Sequence, residues 1–364
     1  MIQGMVSWFK KREPGRPFEA FQIEVTSRCN IRCVMCPVTV LAERWPALDL
    51  SWETFARISH AFEKTKWVYL QGWGEPLLHR RIFDMIAAAK SAGCQVGFTT
   101  NATRLTPKAG ERLLDLGLDV LAVSIAGASK STHEAIRVGS NFEKLTENLR
   151  RFLAARRRRG SVLPKVEIFF LMTKSNLAEL PGAVEFAGRL GADELVATNL
   201  DYVITPELDE LRAYAPSPPP RAYREAMEEA GTLAQRLGVG FRPYRLEPRE
   251  MAVCDLNPLK ILFISADGSV SPCVYTSLTG QVEIPRFFEH KAVEIAPVRF
   301  GNVNEQELME IWENPAYRAF RRQFAERLLG MTKMAFSVVG GERVSADEAP
   351  APEPCRTCPK LYGL

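Results

Sequence analysis

Cys29-Asn30-Ile31-Arg32-Cys33-Val34-Met35-Cys36-Pro37 places three cysteines at C-x3-C-x2-C spacing directly after the apolar run Phe21-Gln22-Ile23-Glu24-Val25. The cysteine loop therefore leaves the end of an expected strand, and Pro37 is expected to stop any regular element from running on. Three thiolates in this spacing can hold three irons of a cubane and leave the fourth iron open to a small chelating molecule, whereas a four-thiolate site carries electrons only. The same residues also suit a zinc knuckle with a remote fourth ligand, or a redox Cys-x-x-Cys pair beside a bystander cysteine.

Outward from this loop, β-rich runs near 20–25, 67–72, 95–100, 120–125, 166–171 and 194–198 alternate with amphipathic stretches near 52–64, 80–92, 106–117, 141–158 and 177–190. Strands joined by helices of crossover length form a parallel sheet, and ligands of such sheets sit outside the carboxyl ends of the strands. Three more segments fall at such ends: Trp67-Val68-Tyr69-Leu70-Gln71-Gly72-Trp73-Gly74-Glu75-Pro76-Leu77-Leu78, Phe98-Thr99-Thr100-Asn101-Ala102-Thr103, and Leu121-Ala122-Val123-Ser124-Ile125-Ala126-Gly127.

Together with the cysteine run, these segments resemble the radical S-adenosylmethionine (SAM) superfamily. They are similar to its Gly-Gly-Glu-Pro turn, its Thr-Asn-Gly turn and its Ser-Ile-Asp-Gly strand end, with Trp73 in place of the first Gly and Ala126 in place of Asp. The resemblance implies an α/β fold, a partial (β/α)6 TIM-like barrel over 18–205, with Cys29, Cys33 and Cys36 holding a 4Fe-4S cluster. It further implies that SAM chelates the open iron and that one electron breaks its C–S bond, giving methionine and a 5′-deoxyadenosyl radical. By the family's pattern Gly74 and Glu75 contact the SAM amino group, Asn101 and Ser124 face the ribose or carboxylate, and Arg137 pairs the carboxylate. On local grounds alone, Asn101 equally caps the turn before the helix at 106, Ser124 satisfies a strand end and Arg137 meets an acidic surface neighbour. A ferredoxin or flavodoxin-type protein is the expected electron donor.

A second cysteine group, Cys254, Cys273, Cys355 and Cys358, supplies four thiolates, enough to saturate a 4Fe-4S cluster that passes electrons or to hold a structural zinc. Ser271-Pro272-Cys273 after the turn Asp267-Gly268, Phe300-Gly301-Asn302-Val303, Leu308-Met309-Glu310-Ile311-Trp312 and the terminal Cys-x-x-Cys are similar to the SPASM/Twitch extension of radical SAM maturases. Full SPASM modules have seven cysteines, so four point to the single-cluster Twitch type. The expected organisation is an N-terminal extension at 1–17, the core at 18–205, a linker and bridging helix at 206–250, and a small α+β iron-sulfur module at 251–364. The proline-rich 206–220 reads as a loop, and Ser345-Ala346-Asp347-Glu348-Ala349-Pro350-Ala351-Pro352-Glu353-Pro354 as a mobile low-complexity stretch.

Composition narrows the function classes. A 46% hydrophobic and 25% charged chain of 364 residues has the make-up of a soluble protein with a sizeable core. A net charge of +4, with one dense basic run at Arg156-Arg157-Arg158-Arg159 on an expected helix end, argues against nucleic acid as a partner. No run reaches the roughly twenty apolar residues of a membrane span, and no signal-peptide pattern opens the chain, so a cytoplasmic location is expected. Ile2, Met5, Val6 and Phe9 beside Lys10-Lys11-Arg12 read as a partly ordered cap, with a weak membrane-surface helix as the alternative. Cys94 and the four histidines read as packing or surface residues.

For the reaction itself, Asp201, Tyr202 and Tyr275 are placed to reach a shared cavity, and Asp201 is the candidate general base for loss of a substrate proton. The leading reading is a maturase acting on a peptide, protein side chain or cofactor precursor. The runner-up is a dehydrogenase of a small molecule such as a sugar or cyclitol, and a non-enzymatic iron-sulfur carrier is the alternative of another class.

Overall fold

The computed structural model describes residues 15–215, 217–340 and 349–364. Its strands are β1 (Phe18–Ile23), β2 (Arg32–Cys33), β3 (Thr65–Tyr69), β4 (Gln95–Thr100), β5 (Val120–Ile125), β6 (Arg137–Val138), β7 (Lys165–Met172), β8 (Glu194–Asn199), β9 (Gly240–Pro243), β10 (Ile261–Ile264), β11 (Ser269–Ser271), β12 (Ile284–Phe288), β13 (Lys291–Ile295) and β14 (Gly301–Asn302). Six of them, β1, β3, β4, β5, β7 and β8, lie side by side in chain order and all run parallel, as the alternation of strands and helices predicts.

The barrel is partial because both ends of this sheet are extended and do not meet. β9 adds in parallel to β8, and β10 adds in parallel to β1, pairing Ala20 with Ile261 and Ile23 with Ile264. β11 and β14 then continue antiparallel beyond β10. The segment that carries the second cysteine group thus shares a sheet with the strand that leads to the first.

The helices form by local rules and cover one face. In Phe142–Arg158, Asn141 accepts from Lys144 N at 2.7 Å to cap the start, and Phe142, Leu145, Leu149, Phe152 and Leu153 recur at helical spacing on the buried side. Beneath the helices, Phe21, Val68, Phe98, Leu121, Ile168 and Leu195 are buried, each contributing about 1.5–3 kcal/mol relative to an exposed side chain.

Some expectations change. The 206–220 stretch is not only a loop: Thr205 caps a short helix, Pro206–Leu211, because proline suits the first helical turn where no amide partner is needed. Arg221–Leu237 is a helix ending at Gly238 in the left-handed region (φ 67°), and with β9 it adds another helix-strand unit to the sheet where a bridge was expected. Within the basic run at the helix end, Arg156 is buried, 2.5 Å from Asp193 and 2.8 Å from Pro164 O. The stretch read as mobile is fastened where it is described: Arg327 donates to Ala349 O at 2.8 Å and Arg356 to Ala351 O at 2.8 Å. The membrane-surface pattern at 2–12 lies outside the described residues. Among the described residues no helix is long and apolar enough to cross a membrane.

Candidate active site

Backbone pairing fixes the three-cysteine loop. β2 pairs antiparallel with β6, which sets Cys33 opposite Arg137, and Val34 N donates to Ile136 O at 3.0 Å. Cys36 N donates to Cys33 O at 3.1 Å, closing a tight turn. Pro37 does not end regular structure; it opens the one-turn helix Pro37–Val40. The strand leading in is clamped by Trp45 Nε1 on Ser27 O (2.9 Å) and Ser27 Oγ on Pro46 O (2.5 Å).

The thiols sit where charge is costly. Burial pushes Cys29 up and Cys36 up to about 12, and the neighbouring cysteines add repulsion at both. Arg137 is the cation facing them. Its Nη1 donates to Cys33 Sγ at 3.6 Å, and its Nε is buried without a hydrogen-bond partner.

Four of the five expected SAM-contact residues, Gly74, Glu75, Asn101 and Arg137, touch this loop or the backbone entering it. An added Cβ on Gly74 would lie 2.6 Å from Arg28 O and closer still to Thr26 O, so the glycine lets its turn pack on the backbone that enters the cysteine loop. Gly74→Ala is expected to cost about 2–3 kcal/mol of stability, since backbone and not a movable side chain stands in the way. Thermal unfolding of the cluster-free chain reads this, and an unchanged Tm would contradict it.

Glu75 is buried and already engaged. Oε1 accepts from Thr100 Oγ1 at 2.6 Å and Leu77 N at 3.1 Å, and Oε2 from Asn101 N at 2.8 Å. It ties the turn after β3 to the turn after β4, leaving little of its acceptor capacity for an ammonium. Asn101 joins its own turn to the cysteine loop. Its Oδ1 accepts from Thr103 N at 3.0 Å, forming a turn, and its Nδ2 lies 3.8 Å from Cys29 Sγ. Ala102 follows at φ 56°, in the left-handed region where the family's turn has its glycine. Ser124 is half-buried near the end of β5, opposite Phe169. At Ala126, the buried His133 ring accepts from Ala126 N at 3.4 Å, and burial with Arg137 nearby holds its pKa down to about 3.

Two residues missed by sequence reading link this site to the other. Glu24, wholly buried, accepts from Trp73 N (3.0 Å), Ala266 N (3.2 Å) and Thr279 Oγ1, joining the turn after β3 to the segment after β10. A carboxylate inside an apolar strand was the available signal. Lys360, buried two residues after Cys358, pairs with Asp201 at 2.5 Å, while Tyr275 Oη donates to the other Asp201 oxygen at 3.0 Å.

Asp201 is therefore no free general base; both oxygens are held. Burial alone would lower Lys360, but Asp201 outweighs it and holds the ammonium pKa above its ordinary value. The pair's stabilisation is thus full below the ordinary lysine pKa of about 10.4 and is lost only as pH rises through the higher folded value. Lys360→Met should cost about 2–4 kcal/mol, somewhat reduced because Asp201 keeps 20% exposure. Denaturant unfolding at neutral pH measures it, and a loss below a few tenths would show the pair to be idle.

Three aromatic rings pack in the same apolar cluster as Cys29, Cys33 and Cys36. Trp73 lies 5.4 Å from Tyr202 and 5.8 Å from Tyr275, and those two tyrosines are 5.8 Å apart, centroid to centroid. Ile31, Met35, Leu200, Val203 and Leu278 complete the apolar surround.

Cys254, Cys273, Cys355 and Cys358 form the second group. Cys358 N donates to Cys355 O at 3.0 Å, and Cys273 Sγ lies 3.5 Å from Thr276 Oγ1. Burial raises Cys254, Cys273 and Cys355, and the charges of the other members add to each. Among the described residues no three side chains converge closely enough to cage a single metal ion. Four buried thiols whose thiolate forms would repel one another, with the Arg286 guanidinium on their loops, fit a cationic iron core that thiolates would hold.

A family model for the radical SAM superfamily matches residues 23–187, and one for an iron-sulfur cluster-binding domain, SPASM, matches 254–359. The chain belongs to the radical SAM superfamily. It is 29% identical over 305 residues to the tungsten-containing aldehyde ferredoxin oxidoreductase cofactor-modifying protein of Pyrococcus furiosus, covering 82% of each chain. It is 28% identical over 320 residues to the AdoMet-dependent heme synthase of Methanosarcina barkeri (80% and 81% covered), and 28% over 170 residues to the mycofactocin maturase MftC of Mycobacterium tuberculosis (46% and 41%). Streptococcus suis SuiB bound to precursor peptide SuiA shares the fold, with a TM-score of 0.60 at 15% identity over 96% of this chain and 71% of that one. This radical SAM enzyme accordingly uses a core 4Fe-4S cluster, an auxiliary 4Fe-4S cluster and SAM.

Proposed function

We propose that this radical SAM enzyme is a maturase that takes hydrogen from a peptide, protein or cofactor precursor and passes an electron through its auxiliary cluster. The supporting observation is the contact of Trp73, Tyr202 and Tyr275, which pack in the same apolar cluster as Cys29, Cys33 and Cys36, with Tyr275 only two residues after Cys273. When bound, the open-iron cluster and SAM supply a 5′-deoxyadenosyl radical after one-electron reduction. Cys29, Cys33 and Cys36 hold the core cluster, with Arg137 as a fixed positive charge beside Cys33. Gly74 shapes the turn that faces SAM, and Asn101 and Ser124 border the same strand ends. The apolar surround keeps water and stray hydrogen donors from the reacting centre, which is positioning and exclusion more than acid-base work. Cys254, Cys273, Cys355 and Cys358 hold the auxiliary cluster. Asp201 and Lys360 act as positioning residues, fixing Tyr275 against the end of β8. The cofactor-modifying relative and MftC support a maturase over a sugar dehydrogenase.

The test is the rate of 5′-deoxyadenosine formation with cell extract from which substrate is sought. Acceleration by a protease-sensitive fraction retained on dialysis, or by a metal-cofactor precursor, is the expected result. Acceleration only by sugars or cyclitols would overturn the substrate assignment.

A further inference from the structure

A buried arginine on the β12–β13 hairpin reaches into the four-cysteine site. Arg286, in the middle of β12, is 2% exposed. Its Nη1 donates to Pro354 O at 2.5 Å and Thr357 Oγ1 at 3.3 Å, and its Nη2 to Tyr275 O at 2.6 Å. Every one of these acceptors adjoins a cysteine loop: Pro354 precedes Cys355, Thr357 precedes Cys358, and Tyr275 follows Cys273 by two. None of the acceptors is charged. The third donor atom, Nε, is buried and has no hydrogen-bond partner.

A guanidinium does not shed its proton to escape burial, so a buried one demands an anion nearby. Its contacts place it against the loops of three of the four cysteines, Cys273, Cys355 and Cys358, whose thiols become thiolates when they ligate iron. The three-cysteine site repeats the arrangement, with Arg137 on Cys33 Sγ and its own Nε buried and unpartnered.

We propose that Arg286 is the counter-charge of the auxiliary cluster, stitching its two cysteine loops together, offering Nε–H to the ligand set and raising the cluster's reduction potential. This rests on the reading of Cys254, Cys273, Cys355 and Cys358 as the cluster's ligands. The physical reason is direct: an added electron increases the negative charge beside a fixed cation, so the cation favours the reduced form. Neither the family match nor the local sequence pattern singles out this residue.

The experiment is an EPR-monitored redox titration with dithionite and mediators. It uses the full chain, reconstituted anaerobically, in a Cys29→Ala/Cys33→Ala/Cys36→Ala background so that only the auxiliary cluster reports. Arg286→Gln should shift the one-electron reduction equilibrium at least tenfold toward the oxidised form, a midpoint lower by 59 mV or more. Arg286→Lys, which keeps the charge, should recover most of that shift. Full iron content with an unmoved midpoint in Arg286→Gln would overturn the proposal. If Arg286→Gln holds no iron, retention of iron by Arg286→Lys supports the charge role, whereas equal loss from both overturns it. Absence of iron from the background with Arg286 intact would instead sink the ligand reading, and the proposal with it.

Discussion

Replacing Cys33 by Ala abolishes 5′-deoxyadenosine formation under dithionite, down to the buffer background. The expectation follows from how the loop is held. Its register comes from backbone pairing of Cys33 with Arg137 and from Val34 N on Ile136 O, neither of which uses the thiol. Truncating one buried sulfur costs only about 1 kcal/mol, so the variant should fold. What it loses is one of three ligands, and a cubane short of a ligand is lost or misplaced relative to the SAM turn at Gly74 and Glu75. Arg137 would also be left facing an apolar methyl in place of a thiolate. The same outcome is expected for Cys29→Ala and Cys36→Ala. Wild-type 5′-deoxyadenosine yield from Cys33→Ala would contradict the assignment of these cysteines.

The double variant Cys355→Ala/Cys358→Ala should behave differently. Its lost cluster is held by a separate set of cysteines, so SAM binding and 5′-deoxyadenosine formation should persist under dithionite while turnover of the native substrate falls to background. The block comes after hydrogen abstraction, when the substrate radical has no acceptor near Tyr275. Loss of a crosslink between distant segments also lowers stability, because the unfolded chain regains entropy. Core-cluster absorbance and Tm therefore accompany the assay. A folded variant that processes substrate at the wild-type rate would show the second site to be structural.

The parts of this molecule that local rules govern are legible in its sequence. The cysteine spacing, the turns after β3 and β4 and the alternation of strands and helices each depend on residues close in the chain, and β5 falls on 120–125 as read. What escaped was made by segments that meet only in three dimensions. Asp201 looks like an available base until Lys360, from beyond the last cysteine, is placed 2.5 Å away. Glu24 gives no hint that its partners include Ala266 and Thr279. β10 cannot be known to extend β1 because parallel pairing across so long a connection leaves no local pattern. One misreading was of a different kind, since the signal was present: Thr205 is a good cap for a helix opening on Pro206.

The most direct test of the account is metal and sulfide analysis of the anaerobically reconstituted full chain beside its Cys355→Ala/Cys358→Ala variant. Two cubane sites predict about eight irons and about eight sulfides per wild-type chain, and about four of each in the variant. About four irons with one equivalent of zinc in the wild type, the zinc disappearing in the variant, would contradict the claim that the chain holds two iron-sulfur clusters.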